Sequence, residues 1–314
     1  MKIALLGDTH IGARNDSPHF HKFFAKFYND VFFPYLEKEK IVNVVQLGDV
    51  FDRRKYINFN SLKQARGYLF DRLNKDYVTW MLVGNHDTYF KNTNELNSLK
   101  ELQGHYMNEV NIVEEPTDMK YGKSTIALVP WINPENEKGI IEFLGSTKSR
   151  ICAGHFELAG FEMDKGLMCK EGMNPAPLER FDLVMSGHFH TKSHNRHIHY
   201  LGAQMEFFWN DAHDPKYFHI FDTVTNELTP VQNPLTIYHK IYYNEDTINH
   251  FEDLSYLENK FVKVIVSNRS DMVKFERFID RINNQKIHEL KIAEDFREFR
   301  GENVNDSDLT IDDT

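Results

Sequence analysis

The run Tyr77-Val78-Thr79-Trp80-Met81-Leu82-Val83 ends in Gly84-Asn85-His86-Asp87. A run this short and apolar is a buried strand, and the polar tetrapeptide sits where that strand leaves its sheet. In open α/β sheets, ligand sites gather at the carboxyl ends of the strands. Asn, His and Asp can each bind a metal or handle protons. One such junction could be an ordinary turn; its weight comes from repetition along the chain.

Upstream, Lys2 to Leu6 is a first buried strand running into Gly7-Asp8-Thr9-His10, and Ile41 to Leu47 is a second, running into Gly48-Asp49-Val50-Phe51-Asp52. Between them Phe20, Phe23, Phe24, Phe27, Val31 and Tyr35 recur at helical spacing, the pattern of an amphipathic helix laid on a sheet. A further helix is expected over Phe59 to Leu73, which makes the order β-α-β-α-β and the class α/β with a parallel or mixed sheet. Downstream, a helix is expected over Glu95 to Gln103, a strand over Ser124 to Val129 and an element over Asn136 to Leu144. The strand Arg150 to Ala153 runs into Gly154-His155, and Asp182 to Met185 into Ser186-Gly187-His188-Phe189-His190. His197 to Leu201 and Tyr217 to Phe221 complete the sheet. Around Pro230 to Pro234 the pattern changes. Strands over Ile237 to Tyr243, Phe261 to Val266 and Ile287 to Ile292, with a helix over Met272 to Ile282, make a small separate β/α unit. The expected division is 1–232, 233–300 and an acidic tail at 301–314. From Glu302 on, that tail holds five acids and no base, too little to bury, and reads as disordered.

At 314 residues, 41% hydrophobic and 27% charged, the chain has the composition of a soluble globular protein with a real core. Its amino end has too few apolar residues for a secretory segment, and no run approaches transmembrane length. Two cysteines cannot staple a chain this size, so a reducing cytoplasm is expected, with no membrane partner. A formal charge of −10 argues against a broadly basic nucleic-acid binder. It leaves room for a nuclease whose bound divalent metals supply the attraction to phosphate.

Five polar marks thus stand at strand ends: Asp8-x-His10, Asp49-x-x-Asp52, Asn85-His86-Asp87, His155 and His188-x-His190. Residues two apart in extended chain point the same way, so Asp8 with His10, and His188 with His190, can each face one centre. Imidazole, carboxylate and carboxamide suit manganese, iron or zinc rather than a thiolate site. Seven such donors are too many for one tetrahedral ion and the right number for two ions sharing a carboxylate.

The series GDTH, GDVFD, GNHD, GH and GHFH resembles the calcineurin-like metallophosphoesterases, and within them the SbcD-type nuclease subunits of recombination and double-strand-break repair, phage versions included. The motifs span Lys2 to about Phe221. The resemblance implies a four-layer αββα sandwich with a small C-terminal α/β capping domain. It implies that Asp8, His10 and His190 hold one metal, that Asn85, His155 and His188 hold the other, and that Asp49 bridges. His86 would steady the phosphate or protonate the leaving oxygen, and Asp87 would orient His86 or a ligand. Asp52 stands where some relatives carry a second catalytic His. The implied cofactor is a pair of divalent ions, Mn²⁺ first and Mg²⁺ second. The implied activity is 3′-to-5′ exonuclease on duplex DNA ends and endonuclease on single strands, with a homodimer and a coiled-coil ABC ATPase as partners. The ATPase-docking segment is not evident before the acidic tail. If the protein is phage-encoded, the compartment would be the host cytoplasm.

Arg14, Arg53, Arg54 and Lys55 follow the first two marks and are candidates for phosphate contacts. Gly122-Lys123-Ser124-Thr125 mimics part of a nucleotide-binding loop, but Thr117 stands where such a loop needs Gly and a strand follows, so a hairpin turn is expected. His197 and His199 are expected on a sheet face, and Cys152 in inert core. Two rivals share the site: a phosphatase or small-molecule phosphodiesterase, and a non-catalytic DNA-end-binding subunit. Against the phosphatase, Arg54 and Asp87 replace the Gly and Glu that protein phosphatases of the superfamily carry there.

Overall fold

A computed structural model describes residues 1–164 and 166–294; the expected acidic tail lies outside the described residues. The chain divides into two compact units, residues 1–205 with 216–234, and residues 206–215 with the chain from 235 on.

In chain order the strands of the first unit are β1 (Lys2–Leu6), β2 (Asn43–Gln46), β3 (Val78–Leu82), β4 (Val110–Val113), β5 (Thr117–Tyr121), β6 (Ser124–Val129), β7 (Ile151–Gly154), the small hairpin β8 (Glu162–Asp164) and β9 (Leu167–Met168), β10 (Leu183–Ser186), β11 (Ser193–Asn195), β12 (Ile198–Tyr200), β13 (Lys216–Asp222) and β14 (Glu227–Asn233). Two six-stranded sheets result, ordered β14-β13-β1-β2-β3-β4 and β11-β12-β10-β7-β6-β5. The strands β1 to β4 run parallel, as do β6, β7, β10 and β12, while β5, β11, β13 and β14 join antiparallel at the flanks.

The sheets meet face to face. Ile3, Leu5, Val45 and Leu82 from one share a core with Ile126, Leu128, Ile151 and Met185 from the other. Phe218 of β13 points the opposite way, onto Phe27, Phe32 and Tyr35 of the first helical segment. On the far face of the second sheet, Cys152, Val184 and Tyr200 pack with Ile140 and Leu144 of helix Glu137–Ser146. Helix, sheet, sheet, helix: this is the α/β sandwich that the resemblance implies, and the α/β class expected from the strand pattern.

Several elements differ from expectation. The helix over Phe20 to Tyr35 is broken into Pro18–Phe27 and Phe33–Glu39 by a π-helical turn at Tyr28–Phe32. Pro34 has no N–H to continue the ladder, so the chain restarts with proline in the first turn of a new helix. The helix expected from Glu95 starts at Ser98, because Asn97 caps it by accepting from the Lys100 N–H at 2.9 Å. Strands β4, β5 and β14 were not expected. The last includes Pro230, paired with His219, and a strand at the rim of a sheet is where a residue without N–H is tolerated. The Gly122 turn, with φ +59°, joins β5 to β6 as the expected hairpin.

In the second unit β15 (Tyr238–Asn244), β16 (Phe261–Asn268) and β17 (Glu289–Glu294) are all parallel. Helix Met272–Asn283 covers one face through Phe275, Phe278 and Ile282, and Asp271 caps it. Among the described residues no helix is long and apolar enough to cross a membrane.

Candidate metal centre

The first three parallel strands are largely buried and end at Leu6, Gln46 and Leu82, so the polar turns that follow them emerge together at one end of the sheet. Those turns are laced to one another. The Asp49 carbonyl accepts from the N–H groups of Thr9 and His10, both at 3.0 Å, and the Val50 carbonyl accepts from Ile11 N–H at 2.8 Å. Gly84 is required less for its own turn than for its neighbour: a Cβ there would lie 2.1 Å from the Asp49 backbone nitrogen. Gly84→Ala is therefore expected to destabilise the fold by about 1–3 kcal/mol, the usual cost of forcing atoms into a filled space. A fall in the denaturant midpoint checks it; an unchanged midpoint refutes the close approach.

Two clusters of potential metal ligands stand at these turns. Ligating atoms of Asp8, His10 and His190 all lie within 4.8 Å of one another, and so do those of Asp49, His155 and His188. In the first, His10 Nε2 is 3.0 Å from His190 Nε2, which is 3.3 Å from Asp8 Oδ2. In the second, Asn85 Oδ1 lies 2.9 Å from His155 Nε2 and 3.0 Å from His188 Nδ1. Asp49 belongs to both: its Oδ1 is 3.4 Å from His155 Nε2 and its Oδ2 is 3.9 Å from His10 Nε2. The seven residues grouped by sequence motif thus converge, with one carboxylate between the clusters.

The chemistry of this donor set fits divalent cations. Asp8, Asp49 and His155 are almost wholly buried, and carboxylates crowded in low dielectric call for positive charge. Burial, and then the charge of His190, hold the His10 imidazole down to about 3, while burial and His155 hold His188 down to about 4. Both offer neutral nitrogen lone pairs, the form a metal binds. His155 is the exception. Burial opposes its charge, yet the Asp49 carboxylate pushes it up to about 9, so the protein keeps a proton where cationic charge belongs. Its Nδ1 donates to the Leu47 carbonyl at 2.7 Å, which turns Nε2 toward the donors.

His10, Asp49 and His188 have φ of 41°, 55° and 84°, in the left-handed region where non-glycine residues cost about 1–3 kcal/mol each. The interlocked turns hold them there, and no sequence pattern announces it.

The expected helper residues are placed as follows. His86 is half-buried; its ring meets that of His10 edge-on at 4.9 Å, and its Nδ1 donates to the Asp52 carbonyl at 2.6 Å. Asp52 holds His86 through its backbone, whereas its carboxylate stands 3.5 Å from His10 Nδ1. Asp87 does not turn to His86. Its carboxylate accepts from the N–H groups of Val50, Phe51 and Gly84 at 3.0, 3.2 and 2.9 Å, so it ties the second turn to the third. Burial, and then the nearby Asp49 charge, push its acid up to about 7. Arg53 is spent on Asp16 and Asn15, both at 2.7 Å, and Arg54 reaches Thr88 at 3.4 Å. Lys55 is exposed and Arg14 half-buried.

Sequence reasoning missed three residues. Gln46, inside an apolar strand, donates to the carbonyls of Gly7 and Gly48 and so joins two turns. Gln204 donates to the Asp8 carbonyl at 2.8 Å. Trp131 lays its ring 5.3 Å from that of His188. Trp131 was findable, since it follows the end of β6 as the ligands follow the ends of other strands. The decoys stay apart: His197 bonds the Leu178 carbonyl and His199 stacks on His194, and Cys152 is buried with its thiol pushed up by that burial.

Residues 1–192 match the family model for calcineurin-like phosphoesterases. Over 294 residues the chain is 31% identical to exonuclease subunit 1 of enterobacteria phage T4, covering 93% of this chain and 84% of that protein. A solved structure described as a novel archaeal phosphodiesterase is 13% identical, with a TM-score of 0.38, over 74% of this chain and 100% of that one.

Proposed function

From the premise that this chain belongs to the calcineurin-like phosphoesterases and is a metal-dependent phosphodiesterase, we propose that its substrate is DNA and that it works as a two-metal nuclease subunit. The observation that carries this reading is Asp49, one buried carboxylate with an oxygen toward each of two clusters of potential ligands. Support for DNA comes from the phage relative, which is named as an exonuclease subunit.

In this reading Asp8, His10 and His190 would hold one divalent ion and Asn85, His155 and His188 the other, with Asp49 as the carboxylate shared between the two groups. When bound, the pair supplies Lewis acidity toward a phosphodiester and brings the pKa of water toward neutrality. The chain's own groups do the rest. The His155 ring is oriented by the Leu47 carbonyl, and the backbone of His188 is held by its main-chain N–H, which donates to Asp8 Oδ1 at 3.0 Å. His86, with Nδ1–H given to the Asp52 carbonyl, leaves Nε2 for the substrate, where a second proton carried on that nitrogen would steady the phosphate or pass to the leaving oxygen. Asp87 acts through the backbone of the turns that carry Asp49 and Asn85. Arg14, Arg53, Arg54 and Lys55 are the basic residues proposed to meet flanking phosphates.

The finer proposal is manganese as the working ion, 3′-to-5′ exonuclease action on duplex ends, endonuclease action on single strands, and a role in recombination and repair. A coiled-coil ABC ATPase and a second copy of the chain are the proposed partners, with residues 1–232 as the nuclease domain and 233–300 as a capping domain. The test is cleavage of end-labelled linear duplex and single-stranded DNA with manganese or with chelator. Manganese-dependent cleavage, abolished by the chelator, is expected. Hydrolysis of a nitrophenyl phosphate ester with neither DNA cut would overturn the nuclease reading in favour of a small-substrate esterase.

A further inference from the structure

Past the end of β6, Pro130 leads to Trp131, a half-buried residue at the same end of the second sheet as His155 and His188. Its ring lies 5.3 Å from the His188 ring, inclined at 42°, and 6.0 Å from the His155 ring. The residue is firmly held. Its N–H donates to the Val83 carbonyl at 2.8 Å, and its own carbonyl accepts from the side chains of Asn94 and Asn136, each at 3.0 Å. Asn94 in turn accepts from Asn133 at 2.9 Å, and both are nearly buried. Three amides therefore fix the backbone of one indole, which nonetheless stays partly open to solvent beside the ligand cluster.

We propose that Trp131 is a stacking platform for the nucleobase next to the phosphodiester being cut, an inference that rests on the DNA reading above. The donors of the metal centre can recognise only phosphate, which is the same in every nucleotide and in small esters. A flat aromatic face adds grip on the base without choosing among bases, because every base offers a π-face. The base must be out of its helical stack to use it, so the site takes a single strand or an opened end. Prior ordering of the Trp131 backbone matters here, since a segment already fixed loses little freedom when the base arrives.

The test uses the full chain with manganese, as parent, Trp131→Leu and Trp131→Phe. The substrates are a single-stranded oligonucleotide with one cleavable linkage and twins with an abasic site on either side of it. Trp131→Leu is expected to lower kcat/KM about tenfold on the intact oligonucleotide. One abasic twin should cost the parent a similar factor and Trp131→Leu nothing further, while Trp131→Phe stays close to the parent. Metal content should be equal in all three. Equal losses on intact and abasic substrates, or loss of metal in Trp131→Leu, would overturn the platform alone and leave Trp131 as a wall for His188. A parent that neither binds nor cuts any of the oligonucleotides would bring down the DNA reading and the platform with it.

Discussion

His86→Gln is expected to slow DNA cleavage about 10²- to 10⁴-fold in kcat, the range carried by a well-placed general acid, with the metal content unchanged. The two halves of that expectation come from different atoms. His86 is not among the ligating atoms that cluster at the centre, and its backbone N–H, which donates to Asp49 Oδ1 at 2.7 Å, survives the substitution. The turn that presents Asn85 should therefore stay in place. What is lost is the imidazole whose Nδ1 is fixed on the Asp52 carbonyl; a Gln amide can still bond there but cannot act as a proton donor to the leaving oxygen. Steady-state kinetics alongside metal analysis separates the possibilities. A variant that keeps both ions and cuts within about threefold of the parent would remove His86 from the chemistry.

Asp49→Asn should do more damage, exceeding the roughly 10⁴-fold that one proton donor can account for, and by another route. Asparagine keeps the shape but removes the charge and puts an NH₂ toward one of the two clusters. His155 would lose the partner that pushes it up to about 9, and the shared ligand would be gone from between His10 and His155. Metal content should fall from about two ions per chain to one or fewer. Retention of two ions with activity within tenfold of the parent would mean that Asp49 does not join the two clusters.

Legibility in the sequence followed burial. Strands β2, β7 and β10 are buried along their length, and β1 and β3 over most of theirs, so each reads as a mostly apolar run with a sharp polar end, and the candidate ligands follow those ends. Elements at the rims were harder to see. In β5, Met119 and Tyr121 point into the shared core while Asp118 and Lys120 point out, a period of two spread over only five residues. Proline masked β14, and the π-helical turn at Tyr28–Phe32 leaves no periodic trace because it adds one residue to an otherwise unbroken apolar face. Residues 206–215 carry no composition shift, yet they pack with the second unit. Within the centre, residue types were legible and conformations were not. The left-handed backbone of His10, Asp49 and His188 depends on neighbouring turns far away in sequence, as does the use of Asp87 as a backbone clamp.

Pro230 also limits what a second molecule can do to the first sheet. The strand that contains it pairs with β13 on one side and ends the sheet on the other. An outermost strand with a full row of free amides is a template on which any extended peptide can add itself. A ring nitrogen in the middle of that row leaves a gap in the template, so an incoming strand could not run its ladder past it. The residue that hid the strand from sequence inspection is thus the one that keeps the sheet from growing at that edge.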